Sequence, residues 1–188
     1  MRRRIYLITE SQNDIKVAKA FLETRTSTFQ IVPRTKSDNP GGISRLAIEL
    51  KTTLESAMRE AKRGDCIIVL HDDDLHTQPD RQHYDKIRQI CQQHKGAIHL
   101  VAKDEIEAWL LADSGVCAWL GVKPQNRDGD RRPSDDLNTL VKKKTGKDHT
   151  GTTRDEVLKH VSGECLSPSF QAAIAHLDTP ACRAGDQE

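Results

Sequence analysis

With 188 residues, 36% hydrophobic and 30% charged, the chain is long enough for one domain with a real core, or for one domain plus a small helical appendage. No stretch approaches the length of a membrane span, and a formal net charge of +1 excludes a protein that holds nucleic acid by global electrostatics. Any contact with DNA or RNA must run through a local patch, a metal ion or a partner, so nucleic-acid affinity of the isolated chain is expected to be weak.

Ile5–Ile8 is a short apolar run after three arginines, with Glu10-Ser11 directly behind it. Asn13 to Leu22 then places Ile15, Val17, Ala18, Phe21 and Leu22 at helical spacing. The pattern predicts a strand running into a helix, with Glu10 at the junction. Phe29–Pro33 reads as a second short strand, and Arg34 to Gly42 as a loop. Ser44 to Lys62 predicts a long amphipathic helix ended by Gly64.

Cys66-Ile-Ile-Val-Leu70 is the strongest strand signal, a continuous apolar run of the kind buried on both faces of a parallel sheet. His71-Asp72-Asp73-Asp74 follows at once. Asp80 to His94 reads as a third helix, Ala97 to Ala102 as a fourth strand, and Asp104 to Ala112 as a further helix containing Glu105, Glu107 and Trp109.

The order β-α-β-α-β-α-β-α implies an α/β fold with a mainly parallel four-stranded sheet and right-handed crossovers. This domain is expected over residues 1–121. Asp135 to Lys144, Arg154 to Val161 and Ser167 to Leu177 predict a helical extension over 122–178, packed on the sheet, and residues 179–188 read as a flexible tail. Aromatics are 4% of the chain, so the core must rest on Ile, Leu, Val and Ala.

The five cysteines are odd in number, widely spaced and without a CxxC pair, unlike a disulfide scaffold or a zinc ribbon. Cys66 reads as core, and the set suggests a reducing compartment. The basic start is followed by an apolar run too short for a signal peptide, so the cytoplasm is the expected location and no membrane partner is expected.

In open parallel sheets, ligands bind outside the C-terminal ends of the strands. Three acidic groups fall there: Glu10 after the first strand, Asp72 to Asp74 after the third, and Glu105 to Glu107 after the fourth. Residues two apart on an extended segment share a side, so Asp72 and Asp74 can converge while Asp73 points away. Carboxylates packed this closely repel one another unless a cation or protons neutralise them, and Mg²⁺ or Mn²⁺ takes such oxygen ligands. The competing reading of the three aspartates is a solvated loop or a set of helix caps.

Other residues carry two readings as well. Glu105 and Glu107 suit the start of a helix electrostatically, or serve as further metal or water ligands. Lys103 is an ordinary exposed lysine or a phosphate contact. Asp113 reads as a helix-end or loop contact, and Trp109 as core. His71, His76 and His83 gather near the acidic loop without HxH or HExxH spacing, so zinc is not expected. Lys142 to Lys144, Lys147 and Arg131-Arg132 are a solvated face or a nucleic-acid contact.

The arrangement Ile-Thr-Glu10-Ser-Gln-Asn-Asp14 before a helix, then Val-Leu-His-Asp72-Asp-Asp74, resembles the Toprim domain of topoisomerases, primases and OLD-family nucleases. That domain carries a glutamate after its first strand and a DxD pair after its third. A closer resemblance is to a bacterial Toprim-like family of unknown function, the DUF4276 type. It is carried by Val-Ala-Lys-Asp-Glu105-Ile-Glu107-Ala-Trp109-Leu-Leu-Ala-Asp113 and by the Ser-Pro-Ser-Phe170 stretch. Ser11 stands where Toprim domains often have glycine, and Asp73 adds a third carboxylate to the pair.

The resemblance implies metal-dependent phosphodiester hydrolysis on nucleic acid, with Glu10, Asp72, Asp74 and Glu107 as catalytic residues. It puts Mg²⁺ or Mn²⁺ on Glu10, Asp72, Asp74, Glu105 and Glu107. Tyr6 in a strand and Tyr84 in a helix do not suggest covalent topoisomerase chemistry. The chain has no Walker A sequence, so a separate ATPase, as in a phage-defence system, is the expected protein partner. A non-catalytic Toprim-fold subunit is the alternative. DxD after a strand also serves nucleotide-sugar transferases and haloacid-dehalogenase-like phosphatases, of which the phosphatase fits less well, because its DxD follows the first strand.

Overall fold

The computed structural model describes residues 3–25, 29–34, 42–73, 81–130 and 132–177. Four strands, β1 (Arg3–Ile8), β2 (Phe29–Pro33), β3 (Cys66–Asp73) and β4 (Ala97–Lys103), form one parallel sheet in the order β2-β1-β3-β4. The helices are α1 (Gln12–Arg25), α2 (Gly42–Glu60), α3 (Arg81–Gln93), α4 (Glu107–Ala112), α5 (Ser114–Leu120), α6 (Pro133–Thr145), α7 (Thr152–Leu158) and α8 (Pro168–Leu177). Each expected strand and helix is present, and α5 is an addition to them. No described helix is long and apolar enough to cross a membrane.

The chain divides into two compact units. The first comprises Met1–Ile15, Thr28–Val101 and Ala173–Glu188, and the second comprises Lys16–Ser27 and Ala102–Ala172. The sequence reading places a domain boundary near Gly121, whereas this division falls inside β4. The expected tail, 179–188, lies outside the described residues.

In the first unit, β1 pairs with β2 from Arg3↔Phe29 to Leu7↔Pro33 and with β3 from Ile5↔Cys66 to Ile8↔Val69. Ile5 to Ile8 and Cys66 to Leu70 are all buried, so both inner strands are shielded on both faces, which is why their sequences run apolar without alternation. The edge strand β4 alternates instead, with Ile98, Leu100 and Ala102 buried between less buried neighbours. On one face, Tyr6, Ile8, Ile67 and Val69 pack with Leu46, Leu50, Leu54 and Ala57 of α2 and Ile87, Ile90 and Cys91 of α3. The α2 residues recur at helical spacing along one stripe, and each buried leucine contributes roughly 1.5–3 kcal/mol.

Asp65 fixes the entrance to β3. Its carboxylate accepts from the Lys62 amide at 2.9 Å, the Arg4 amide at 2.8 Å and Arg4 Nε at 3.1 Å. Burial alone would raise its pKa, but these donors outweigh burial and hold the carboxyl below its ordinary range.

In the second unit, Phe21, Trp109 and Phe170 form an aromatic cluster with ring centroids 4.8 to 5.9 Å apart. Asp113 separates α4 from α5 and caps α5. It is fully buried and accepts from the amides of Val116 (3.0 Å), Ser162 (3.1 Å) and Gly163 (2.9 Å) and from the Ser162 hydroxyl (3.1 Å). Gly115 lies so close to this turn that a Cβ there would collide with the His160 carbonyl oxygen. Asp128 does similar work for α8, accepting from the Ser167 hydroxyl and the Ser169 amide, while Trp109 Nε1–H donates to Ser169 Oγ at 2.8 Å.

Cys91, Cys117 and Cys165 are buried free thiols, and burial is the main force that pushes their pKa values up to about 12, 11 and 12. Such thiols are poor nucleophiles. Cys66 is buried as expected and is disulfide-bonded, which its spacing did not signal.

Candidate functional site

The strand order creates a topological switch point. From β1 the chain crosses to β2 on one side, and β3 lies on the other, so the β1/β3 crevice is where an open parallel sheet accepts ligands. Glu10 follows β1, and Asp72 stands at the end of β3. The structure brings them together: Glu10 Oε1 accepts the Asp72 amide at 2.8 Å.

Local sequence fixes that geometry. Ser11 and Asp14 form a reciprocal capping box at the start of α1, in which the Ser11 amide donates to Asp14 Oδ2 and the Asp14 amide to Ser11 Oγ. The Thr9 hydroxyl donates to the Ser11 carbonyl at 2.7 Å. Ser11 therefore holds the turn that carries Glu10, a role that glycine would not supply.

Strand β3 continues through Asp73, so Asp72 and Asp73 are extended strand residues, as the alternation argument requires, and not part of the solvated loop of the competing reading. Alternation then turns Asp72 and His71 to opposite faces. His71 lies on the α3 side, with its ring centroid 5.3 Å from that of Tyr84. Its Nδ1 is 2.7 Å from the Asp72 carbonyl and its Nε2 is 2.8 Å from Nε2 of His99 in β4. Burial lowers both histidine pKa values, that of His99 to about 4, and Arg88 lowers both further; the Asp72 carbonyl and the Asp73 charge act in the opposite direction on His71.

The separation between the two imidazoles identifies their contact. Two histidines on one tetrahedral zinc, with Zn–N near 2.0–2.1 Å, stand about 3.3 Å apart. At 2.8 Å the pair has the length of an N–H···N hydrogen bond. His99 sits alone on an alternating edge strand, 28 residues from its partner, and periodicity gave no signal for it.

Asp74 and His76 lie outside the described residues. Among the described residues, no group of three or more His, Cys, Asp or Glu side chains is placed to hold a metal ion. The pair that is described, Glu10 and Asp72, is an all-oxygen donor set of the size that Mg²⁺ takes from a protein.

The remaining candidates, Tyr6 apart, belong to the second unit. Asp104 adopts φ +65°, a left-handed conformation, and is buried; helix α4 begins only at Glu107. Glu105 therefore precedes that helix, and its Oε2 accepts the Ser134 amide at 2.7 Å, serving the start of α6 in place of a side-chain cap from Arg132. Glu107 is half-buried in the first turn of α4, where a carboxylate suits the helix dipole. Lys103 is exposed at the end of β4. Lys142 to Lys144 occupy the exposed last turn of α6, and Lys142 pairs with Asp148 at 3.1 Å. Tyr6 is buried in β1, with the Arg4 and Arg34 guanidinium groups 5.1 and 5.0 Å from its ring centre.

The chain matches no family model, no curated protein and no solved structure.

Proposed function

We propose that the chain is a Mg²⁺- or Mn²⁺-dependent phosphodiesterase acting on nucleic acid, with its site at the β1/β3 switch point. The observation that carries this reading is the contact between Glu10 and Asp72, two carboxylate residues from neighbouring strand ends at the one crevice where this topology favours a ligand. Glu10 and Asp72 would hold the ion, together with Asp74 on the sequence resemblance to Toprim domains. A bound ion would supply charge stabilisation to the phosphoryl oxygens and acidify a water. Water attack at phosphorus, with departure of the ester oxygen, requires no covalent enzyme intermediate. The burial of Tyr6 within β1 agrees with hydrolysis rather than tyrosine-linked strand passage.

Glu105, Glu107 and Lys103 belong to the other unit, and the reading draws on none of them. The near-neutral charge favours a helper for nucleic-acid loading, and an ATPase partner fits that need.

The test is a Mn²⁺ titration followed by melting temperature, with parallel cleavage assays on single- and double-stranded DNA and RNA. Saturating Mn²⁺, at about 100 times its Kd, should stabilise the wild type by about 2.7 kcal/mol. Asp72→Asn and Asp74→Ala should lose both that stabilisation and cleavage. A wild type indifferent to Mn²⁺ would remove the reading. The non-catalytic alternative draws support from the use of Glu10 as an acceptor for the Asp72 amide, and it is the outcome if Mn²⁺ binds without cleavage.

A further inference from the structure

A chain of hydrogen bonds crosses three strands behind the carboxylate pair, and its proton positions can be assigned. The Asp72 carbonyl can only accept, so His71 Nδ1, 2.7 Å away, carries the hydrogen. With one hydrogen on each ring, His71 Nε2 is then a lone pair, and His99 Nε2 at 2.8 Å is the donor. On the other side of the same residue, the Asp72 amide donates to Glu10 Oε1 at 2.8 Å. The order is His99 to His71 to the Asp72 carbonyl, and from the Asp72 amide to Glu10.

These bonds lie beyond the β1–β3 register, in the stretch where β3 runs on to Asp73 without β1 beside it. The β1–β3 register ends at Ile8↔Val69, three residues before Asp72. Beyond it, both backbone groups of Asp72 are held by side chains: the carbonyl by a buried imidazole, the amide by a carboxylate. His71 is itself held by the His99 bond and by packing against the Tyr84 ring. Asp73 and Arg88, which act on His71 with opposite sign, are the charged groups of β3 and α3 that face it.

We propose that His71 and His99 are positioning residues for the metal site: they fix the backbone of Asp72 so that its carboxylate is presented beside Glu10. This rests on the carboxylate pair's being a metal site. Neither histidine touches the ion. The arrangement follows the logic of outer-shell partners that orient a ligand, here through the ligand's own peptide group, with the terminal donor supplied from an adjacent strand.

The experiment compares Mn²⁺ affinity, by electron paramagnetic resonance below the melting transition, for wild type, His99→Leu and His99→Gln. Leucine removes the donor, and glutamine keeps an N–H. His99→Leu should bind Mn²⁺ at least about tenfold more weakly, and His99→Gln should restore wild-type affinity, which general loosening of the fold would not do. Wild-type affinity in His99→Leu, or a failure of His99→Gln to rescue, overturns the inference while leaving the metal site standing. No Mn²⁺ binding by the wild type overturns both. ¹⁵N NMR of the wild-type histidines gives a readout that needs no variant: His71 should carry its proton on Nδ1, and an Nε2–H tautomer overturns the assignment.

Discussion

In the second unit Asp113 meets four donors and no solvent, whereas in the first Asp72 stands half-buried at a strand end, its backbone held and its carboxylate at a switch point. Asp128 and Glu105 repeat the first pattern, each spending its oxygens on the amide that opens a helix. The same side chain is thus structural material in one unit and a candidate ligand in the other. Helix starts supply N–H groups in excess, and Asp113, Asp128 and Glu105 are placed to take them.

Three substitutions sharpen that contrast. The largest effect is expected at Asp113→Ala, which strands buried amides of Val116, Ser162 and Gly163; chemical denaturation should show a loss of at least roughly 3 kcal/mol. A loss below about 1 kcal/mol would mean that water or rearrangement replaces the carboxylate.

Asp65 is the first unit's counterexample, a carboxylate spent on structure, and its effect should depend on pH. Its folded pKa is depressed, so its stabilisation is present above the unfolded value of 3.8 and fades as the pH falls through the lower folded value. Asp65→Asn should therefore cost about 1–3 kcal/mol at pH 7 and progressively less below pH 3.8, read by melting at each pH. A cost independent of pH would show that the charge is irrelevant there.

The smallest effect on stability is expected at Asp72→Asn. Without metal, its cost should stay below about 1 kcal/mol, because asparagine keeps the size of the side chain and spares the backbone bonds to His71 and Glu10. A loss comparable to that of Asp113→Ala would place Asp72 among the structural carboxylates instead.

Much of the fold was legible because its signals are local. The apolar runs Ile5–Ile8 and Cys66–Leu70 announce inner strands, and the α2 stripe announces its helix. Glu10 and Asp72 were legible through the rule on strand ends, which needs only element order. Asp113 was not, because its partners lie 49 and 50 residues away and no periodicity links them. Its cap divides what reads as one helix followed by a loop into α4 and α5.

Two segments that the sequence reading singles out meet in the second unit. Trp109 of Glu-Ile-Glu-Ala-Trp and Ser169 of Ser-Pro-Ser-Phe are hydrogen-bonded to each other, and Phe170 packs on Trp109. These contacts describe how the second unit is built, whereas the proposed chemistry rests on the first.

The interleaving of the two units has a consequence for synthesis. The chain passes from the first unit to the second after Ile15, returns at Thr28, leaves again after Val101 and returns at Ala173. Neither unit is a contiguous stretch, so neither can be cut out as a fragment. On the ribosome, the second unit waits for residues up to Ala172, and α1 must be kept unengaged while about 75 residues of intervening chain emerge, a loop whose closure costs entropy before any contact of that unit repays it.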